Sequence, residues 1–231
     1  MGRRRYHQYC GLARALDALG ERWTLLIVRQ LLAGPARFKD LLESLGGIGP
    51  NMLTERLKDM EERGLVERSR LPPPADIPVY TLTEKGQALD QVVLALTQWG
   101  LRTMAPRETA DVARGDWAAM AVKAAFDATA AEGVFETYQF QVEDRAFHLH
   151  VHHGVVELNL GESPAANLQI TSTAQVLVDM AAGHLDPREA LAHGLLKVEG
   201  RPGAFQRAAE LFFAVRRAPT VAFEERAAAV V

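Results

Sequence analysis

The chain has 231 residues, of which 48% are apolar, 24% charged and 7% aromatic. That length suits two domains of about 100 residues each, and the apolar content is enough to close real cores, which excludes disorder. Leu25–Val28 and Val92–Leu96 are far too short to cross a bilayer. Met1–Cys10 is basic but lacks the apolar stretch and cleavage site of a secretory signal. The one cysteine, Cys10, rules out an internal disulfide or a multi-cysteine zinc site. The expected location is the cytoplasm, with no membrane partner.

Net charge is −3, divided unevenly: residues 1–104 carry 15 Lys+Arg against 12 Asp+Glu, and residues 105–231 carry 11 against 17. A cationic front half suits a polyanion, though many solvated faces carry as much.

Along the chain, Leu12, Leu16, Leu19, Trp23, Leu26 and Ile27 recur at helical spacing, with a break near Gly20 and a stop at Gly34-Pro35. Phe38, Leu41, Leu42 and Leu45 form a second stripe, ended by Gly46-Gly47-Ile48-Gly49. Pro50 then suits the first turn of a helix carrying Leu53, Leu57 and Met60, with Gly64 at its end. Two short helices joined by a glycine turn are a helix-turn-helix unit. Leu65–Arg70 and Val79–Leu82 read as strands around the proline-rich Leu71–Pro78, a hairpin placed as a wing. Thr83–Gly86 opens a long helix with Leu89, Val92, Val93, Leu96 and Trp99 on one side.

Ala105–Gly115 has no apolar stripe and reads as a linker. Trp117–Ala130 reads as helix, followed by strands at Phe135–Val142, Arg145–His152, Val155–Leu160 and Asn167–Thr171. Helices are expected at Ala174–Ala182 and Pro187–Ala192, a strand at Leu195–Glu199 and a last helix at Ala204–Arg217. The fold class is α+β: a winged helix-turn-helix domain, then a mostly antiparallel sheet with helices on one face. The domains are 1–104, a linker 105–115, 116–217 and a tail 218–231.

The front half resembles the HxlR-type winged-helix transcriptional regulators. The likeness rests on Cys10, Leu16, Gly20–Trp23, Arg37–Leu41, Leu53–Leu57, Glu61, Gly64–Val66, Pro78–Thr83, Gly86 and Trp99. One departure is Ile48-Gly49-Pro50, where that family often has Ile-Ser; glycine still caps a helix at little cost. The rear half is similar to a sterol carrier protein-type domain, on Ala181–Ala190, Gly194–Gly200 and the helix ending Leu211–Phe213. The first resemblance implies a homodimeric DNA-binding regulator, expected to act as a repressor. The second implies an apolar small-molecule effector. The alternative is a lipid carrier whose winged helix serves protein interaction.

Taking Leu53 as inward, the helical step turns Asn51, Glu55, Lys58 and Glu62 outward, with Thr54 on the flank. Asn51 suits adenine, Glu55 cytosine and Lys58 guanine or phosphate, so Asn51, Thr54, Glu55 and Lys58 are the expected contacts to bases of double-stranded DNA. Arg37, Lys39, Arg68 and Arg70 are placed to meet phosphates. Arg3-Arg4-Arg5 is either a backbone-binding arm or a charged tail. The bland alternatives are an ordinary solvated helix face and four surface cations without partners.

Cys10 precedes the first helix; the resemblance implies a redox switch there, and a helix start lowers a thiol pKa. Against this, a lone cysteine is often a small core residue, and Leu12 beside it belongs to an apolar stripe. His148, His150 and His152 alternate on one strand face, with His153 next; an exposed sheet face opposite Phe147, Leu149 and Val151 accounts for them, and no metal or cofactor is expected. No nucleophile elbow or zinc-protease pair is present, so catalysis is not expected. Phe135, Phe140, Leu168, Ile170, Val176, Met180 and Phe212 are the expected walls of an apolar ligand cleft, or plain core.

Overall fold

The structure, a computed structural model, describes residues 5–108 and 111–214. Arg3 and Arg4 of the basic arm, and the tail 218–231, lie outside the described residues. The chain divides into two compact units, Met1–Ala95 and Leu96–Val231, the boundary falling within a helix.

The first unit holds α1 (Gly11–Leu19), α2 (Thr24–Leu32), α3 (Phe38–Ser44), α4 (Pro50–Glu62), β1 (Val66–Arg70), β2 (Pro78–Leu82), α5 (Glu84–Gln87) and the start of α6 (Asp90–Thr103). Its core is Ile27, Val28, Leu31, Leu41, Leu53, Leu57 and Met60, all buried. Between α1 and α2 the chain turns on Trp23, whose φ of 82° is left-handed and costly for an aromatic residue. α4 opens on Pro50 after Gly49. It closes in a Schellman turn: the Leu65 N–H donates to the Met60 carbonyl, the Gly64 N–H to that of Glu61, and Gly64 takes φ 65°. β1 and β2 pair antiparallel from Val66↔Leu82 to Arg70↔Pro78. Ala36, just before α3, bridges Tyr80 and ties the hairpin to the helices.

The second unit holds α7 (Gly115–Ala124), β3 (Glu136–Val142), β4 (Arg145–His152), β5 (Val155–Leu160), β6 (Leu168–Ser172), α8 (Ala174–Ala182), α9 (Pro187–Ala192), β7 (Leu196–Gly200) and α10 (Ala204–Phe212). The five strands run β5-β4-β3-β6-β7, with β3 and β6 parallel and the other pairs antiparallel. Phe147, Leu149 and Val151 of β4 join Ala118 and Val122 of α7, Leu177 and Met180 of α8 and Phe212 of α10 in one core. Helices on one face of a mostly antiparallel sheet make the fold α+β, as expected.

Several strands begin or end one residue from expectation, and four helix boundaries differ by more. The helix expected from Thr83 is two: the ladder lapses at Ala88 and Leu89, where the Leu89 N–H reaches back only three residues, to the Gly86 carbonyl. Its apolar residues also divide, since Val93 is buried while Val92, Leu96 and Trp99 are exposed. α7 begins at Gly115, inside the expected linker, and ends at Ala124 rather than Ala130. There the Asp127 N–H bonds the Leu211 carbonyl of α10, an acceptor outside the helix. α10 ends at Phe212, and residues 215–217 of the helix expected there lie outside the described residues.

Candidate nucleic-acid interface

On α4, burial of Leu53, Leu57 and Met60 turns Asn51, Met52, Thr54, Glu55, Lys58 and Glu62 to solvent. The Thr54 hydroxyl donates to the Pro50 carbonyl one turn back, at 2.9 Å, which spends its proton on the helix. Asn51, Glu55 and Lys58 make no side-chain hydrogen bond or ion pair among the described residues. Gly49 supplies no side-chain cap and the first turn carries no acid, so among the described residues no capping side chain meets the backbone N–H groups that follow Pro50 in α4. Such a helix start attracts phosphate.

The four expected phosphate cations do not stand alone. Arg37 pairs with Asp40 at 2.9 Å, Lys39 with Glu43 at 3.6 Å, Arg68 with Glu61 at 2.8 Å and Arg70 with Asp76 at 2.6 Å. These pairs are exposed, and exposed pairs contribute only about 0–1 kcal/mol, so phosphate competes readily for the cation. Arg68 also lies over the ring of Tyr80, its cross-strand neighbour, at 5.5 Å, and Arg70 donates to the Asp76 carbonyl.

Two features went unseen in the sequence. Arg56 lies on the buried side of α4, among Leu53, Leu57 and Met60, 9% exposed. It reaches Glu21 at 3.4 Å and Asp59 at 3.6 Å, and Asp59 holds Arg63 at 2.7 Å. This chain of charges fixes α4 against the turn that follows α1; a cation interrupting an apolar stripe was the available signal. Met52, 42% exposed on the outward face, adds an apolar contact suited to a thymine methyl.

Cys10 is exposed at the start of α1, not a core residue, and Leu12 beside it is 69% exposed, so the expected apolar stripe there faces solvent. The backbone N–H of Ala13, and then that of Leu12, lower the thiol pKa below its ordinary value, against a small opposing effect of burial.

In the second unit the expected ligand walls are mostly core. Phe140, Leu168, Ile170, Met180 and Phe212 are buried together, Val176 packs against them, and Phe135 is exposed with its ring edge-on to His153 at 4.8 Å. None of the seven lines either of the two clefts described in this unit. His148 bonds the Gly161 carbonyl, His150 the Thr137 hydroxyl and His152 the Glu157 carboxylate at 3.2 Å. Among the described residues no group of three His, Cys, Asp or Glu is arranged to hold a metal. No helix of the described residues is long and apolar enough to cross a membrane.

A glycine-turned helix pair with a strand hairpin behind it, an unobstructed outward row on the second helix and cations on both flanks define a winged helix-turn-helix DNA-binding regulator. Residues 18–108 match the HxlR-like helix-turn-helix family, and residues 118–213 match the SCP-2 sterol transfer family. The chain is 42% identical over 95 residues to the HTH-type transcriptional regulator YodB of Bacillus subtilis, covering 41% of this chain and 85% of that one. It is 38% identical over 96 residues to the uncharacterized HTH-type transcriptional regulator YvaP of the same organism, covering 40% and 86%. The structure of the reduced form of YodB from B. subtilis matches at 39% identity and a TM-score of 0.37, covering 44% of this chain and all of that one. This chain belongs to the HxlR-like helix-turn-helix family of DNA-binding transcription regulators, and it carries an SCP2 domain behind the DNA-binding one.

Proposed function

We propose that the chain is a non-enzymatic homodimeric repressor that reads its operator with α4 and answers to a small apolar ligand through its second unit. The observation that carries the DNA-reading part is the outward row Asn51, Glu55 and Lys58, without partners among the described residues, on a helix whose first N–H groups are uncapped. Asn51, Thr54, Glu55 and Lys58 contact bases; Arg37, Lys39, Arg68 and Arg70 exchange their carboxylate partners for phosphates. The domains assigned are 1–104 for DNA and 116–217 for sensing, joined by 105–115. DNA as partner places the protein in the compartment that holds it, the cytoplasm in a prokaryotic cell.

Dimerisation is supported by apolar side chains left in solvent: Leu12 and Leu16 on α1, and Val92, Leu96 and Trp99 on α6. Monomers rarely leave rows of this kind uncovered. Cys10 begins the same helix as Leu12 and Leu16, so a bulky adduct on its sulfur disturbs that contact, which supports a redox role.

The test is a binding titration of the full chain against the DNA upstream of its own coding sequence, repeated over a range of salt. Affinity for one segment well above that for random DNA, falling linearly in log–log form with salt, supports the reading. Equal affinity for all sequences refutes it.

A further inference from the structure

β5 is one edge of the five-stranded sheet, and the hairpin that holds it shows which of its backbone groups are unused. β4 turns into β5 on His153 and Gly154, at φ 49° and 74°, the positive values of a tight two-residue turn. The strands pair from His152↔Val155 to Phe147↔Leu160, and one step further the Gly161 N–H donates to the Ala146 carbonyl at 2.8 Å. Antiparallel ladders alternate bonded and non-bonded pairs. Counting back from Gly161, Val155, Glu157 and Asn159 bond β4, while the N–H and C=O groups of Val156, Leu158 and Leu160 point to the free edge. Among the described residues those groups take no partner.

Native sheet edges are blunted by lysine, proline, inward charge or a covering element. At the opposite edge β7 exposes Lys197 and Glu199. β5, from Val155 to Leu160, has neither lysine nor proline, and its one charge is Glu157. Val155 and Leu160 are each 52% exposed, so nothing in the chain covers this strand.

We propose that β5 pairs antiparallel with β5 of a second copy of the chain, about a two-fold axis at Leu158. Residues that face each other must lie on the same side of the sheet, which places the axis on a residue rather than between two. With the axis at Leu158, Leu158 faces its own copy and Val156 faces Leu160 of the second copy. These are bonded pairs formed by the unused groups, on the face where Val156 and Leu158 already pack against the core. On the other face Glu157 lies opposite Asn159 of the second copy, in a non-bonded pair whose side chains approach closely, so an amide donates to a carboxylate. An axis at Glu157 would set two carboxylates against each other, and axes at Val156 or Asn159 form fewer apolar pairs. A contact of one strand falls below the roughly 1,000 Å² of a stable interface, so it forms at high protein concentration or between copies already held side by side. It is separate from the contact proposed through α1 and α6, and neither depends on the other.

The test uses the full chain carrying Leu16→Glu and Trp99→Glu, so that α1 and α6 contribute no contact. Sedimentation equilibrium from micromolar to near-millimolar protein is expected to show reversible dimerisation. Asn159→Glu, which sets like charges opposite each other twice in the dimer, is expected to weaken it by about tenfold. Asn159→Glu combined with Glu157→Lys is expected to restore it, because opposite charges then meet. In the parent protein, hydrogen exchange at the Val156, Leu158 and Leu160 amides is expected to slow as concentration rises, with β7 unchanged; this measurement decides if a variant fails to fold. Absence of both association and concentration-dependent protection overturns the pairing. Association that Asn159→Glu leaves untouched, without protection of those amides, places the contact elsewhere and overturns it too. Weakening that Glu157→Lys does not reverse overturns the register. No DNA is present, so each of these outcomes leaves the reading of DNA by α4 standing.

Discussion

At the scale of single residues, position on α4 separates reading from holding. Asn51→Ala is expected to cost about 1–3 kcal/mol on the cognate site and almost nothing on random DNA, because it would delete the proposed base contact. Arg37→Ala or Arg68→Ala is expected to weaken binding to every sequence and reduce the salt slope by about one unit each, although each cation must first leave Asp40 or Glu61. Fluorescence-anisotropy titrations on both DNAs separate the two patterns, and equal losses in all three variants refute the assignment. The Cys10 thiol, lowered by the Ala13 and Leu12 N–H groups, is expected to reach half-maximal alkylation by iodoacetamide at a lower pH than free cysteine does; a midpoint at or above the free value removes the redox role. The outward row of α4 was legible because Leu53, Leu57 and Met60 fix the helix phase. The cleft beside α8 was not, since much of its lining is alanine. What shapes it is side-chain volume that is missing, and an apolar pattern marks Phe140 and Ile170 alike whether they line a space or fill one.

At the scale of elements, alternation and punctuation carried most of the reading. β4, β5, α8 and α9 begin and end where the sequence places them: Phe147, Leu149 and Val151 alternate with histidines, and Thr173 and Asp186 cap the helices that follow. The C-terminal end of α7 goes instead with a tertiary hydrogen bond, from the Asp127 N–H to the Leu211 carbonyl, which leaves no local mark. Two elements are pinned tightly enough to predict. A Cβ on Gly86 of α5 falls 2.1 Å from the Leu65 carbonyl oxygen, backbone that cannot rotate away, so Gly86→Ala is expected to destabilise the first unit by about 1–3 kcal/mol in urea unfolding. In the second unit, Glu136 of β3 accepts from Arg207 of α10 and from the Tyr138 hydroxyl. Burial pushes the Glu136 carboxyl up, but these donors outweigh it and hold the pKa below the usual value. The pair's contribution is therefore complete above the unfolded pKa of about 4.3 and is lost as pH falls through the lower folded value. Glu136→Gln is expected to cost about 1 kcal/mol at neutral pH, given a partly exposed Arg207. The gap in melting temperature from the parent protein is expected to narrow as pH drops below about 4. A gap independent of pH refutes the linkage.

At the scale of the whole molecule, two cores on one chain separate the tasks. The front carries 15 Lys+Arg against 12 Asp+Glu and the rear 11 against 17, so the cationic balance lies with the half proposed to meet DNA. A single α4 contacts only a few base pairs, too few to select one site among many, whereas two copies read a two-fold site with their helices about 34 Å apart, one turn of the duplex. The apolar rows on α1 and α6 offer the contact that would set this spacing. Sedimentation velocity at micromolar concentration is expected to give a dimer, and Leu16→Glu combined with Trp99→Glu a monomer, because a charge at each exposed apolar position stays solvated only when nothing covers it. The monomer is expected to lose most of its cognate affinity while keeping α4 folded, as circular dichroism would report. An operator whose half-sites are moved apart by half a helical turn places the second α4 on the opposite face of the duplex, and the parent dimer should bind it no better than it binds one half-site. A monomeric parent protein, or full affinity for the shifted operator, would mean that each copy reads DNA alone.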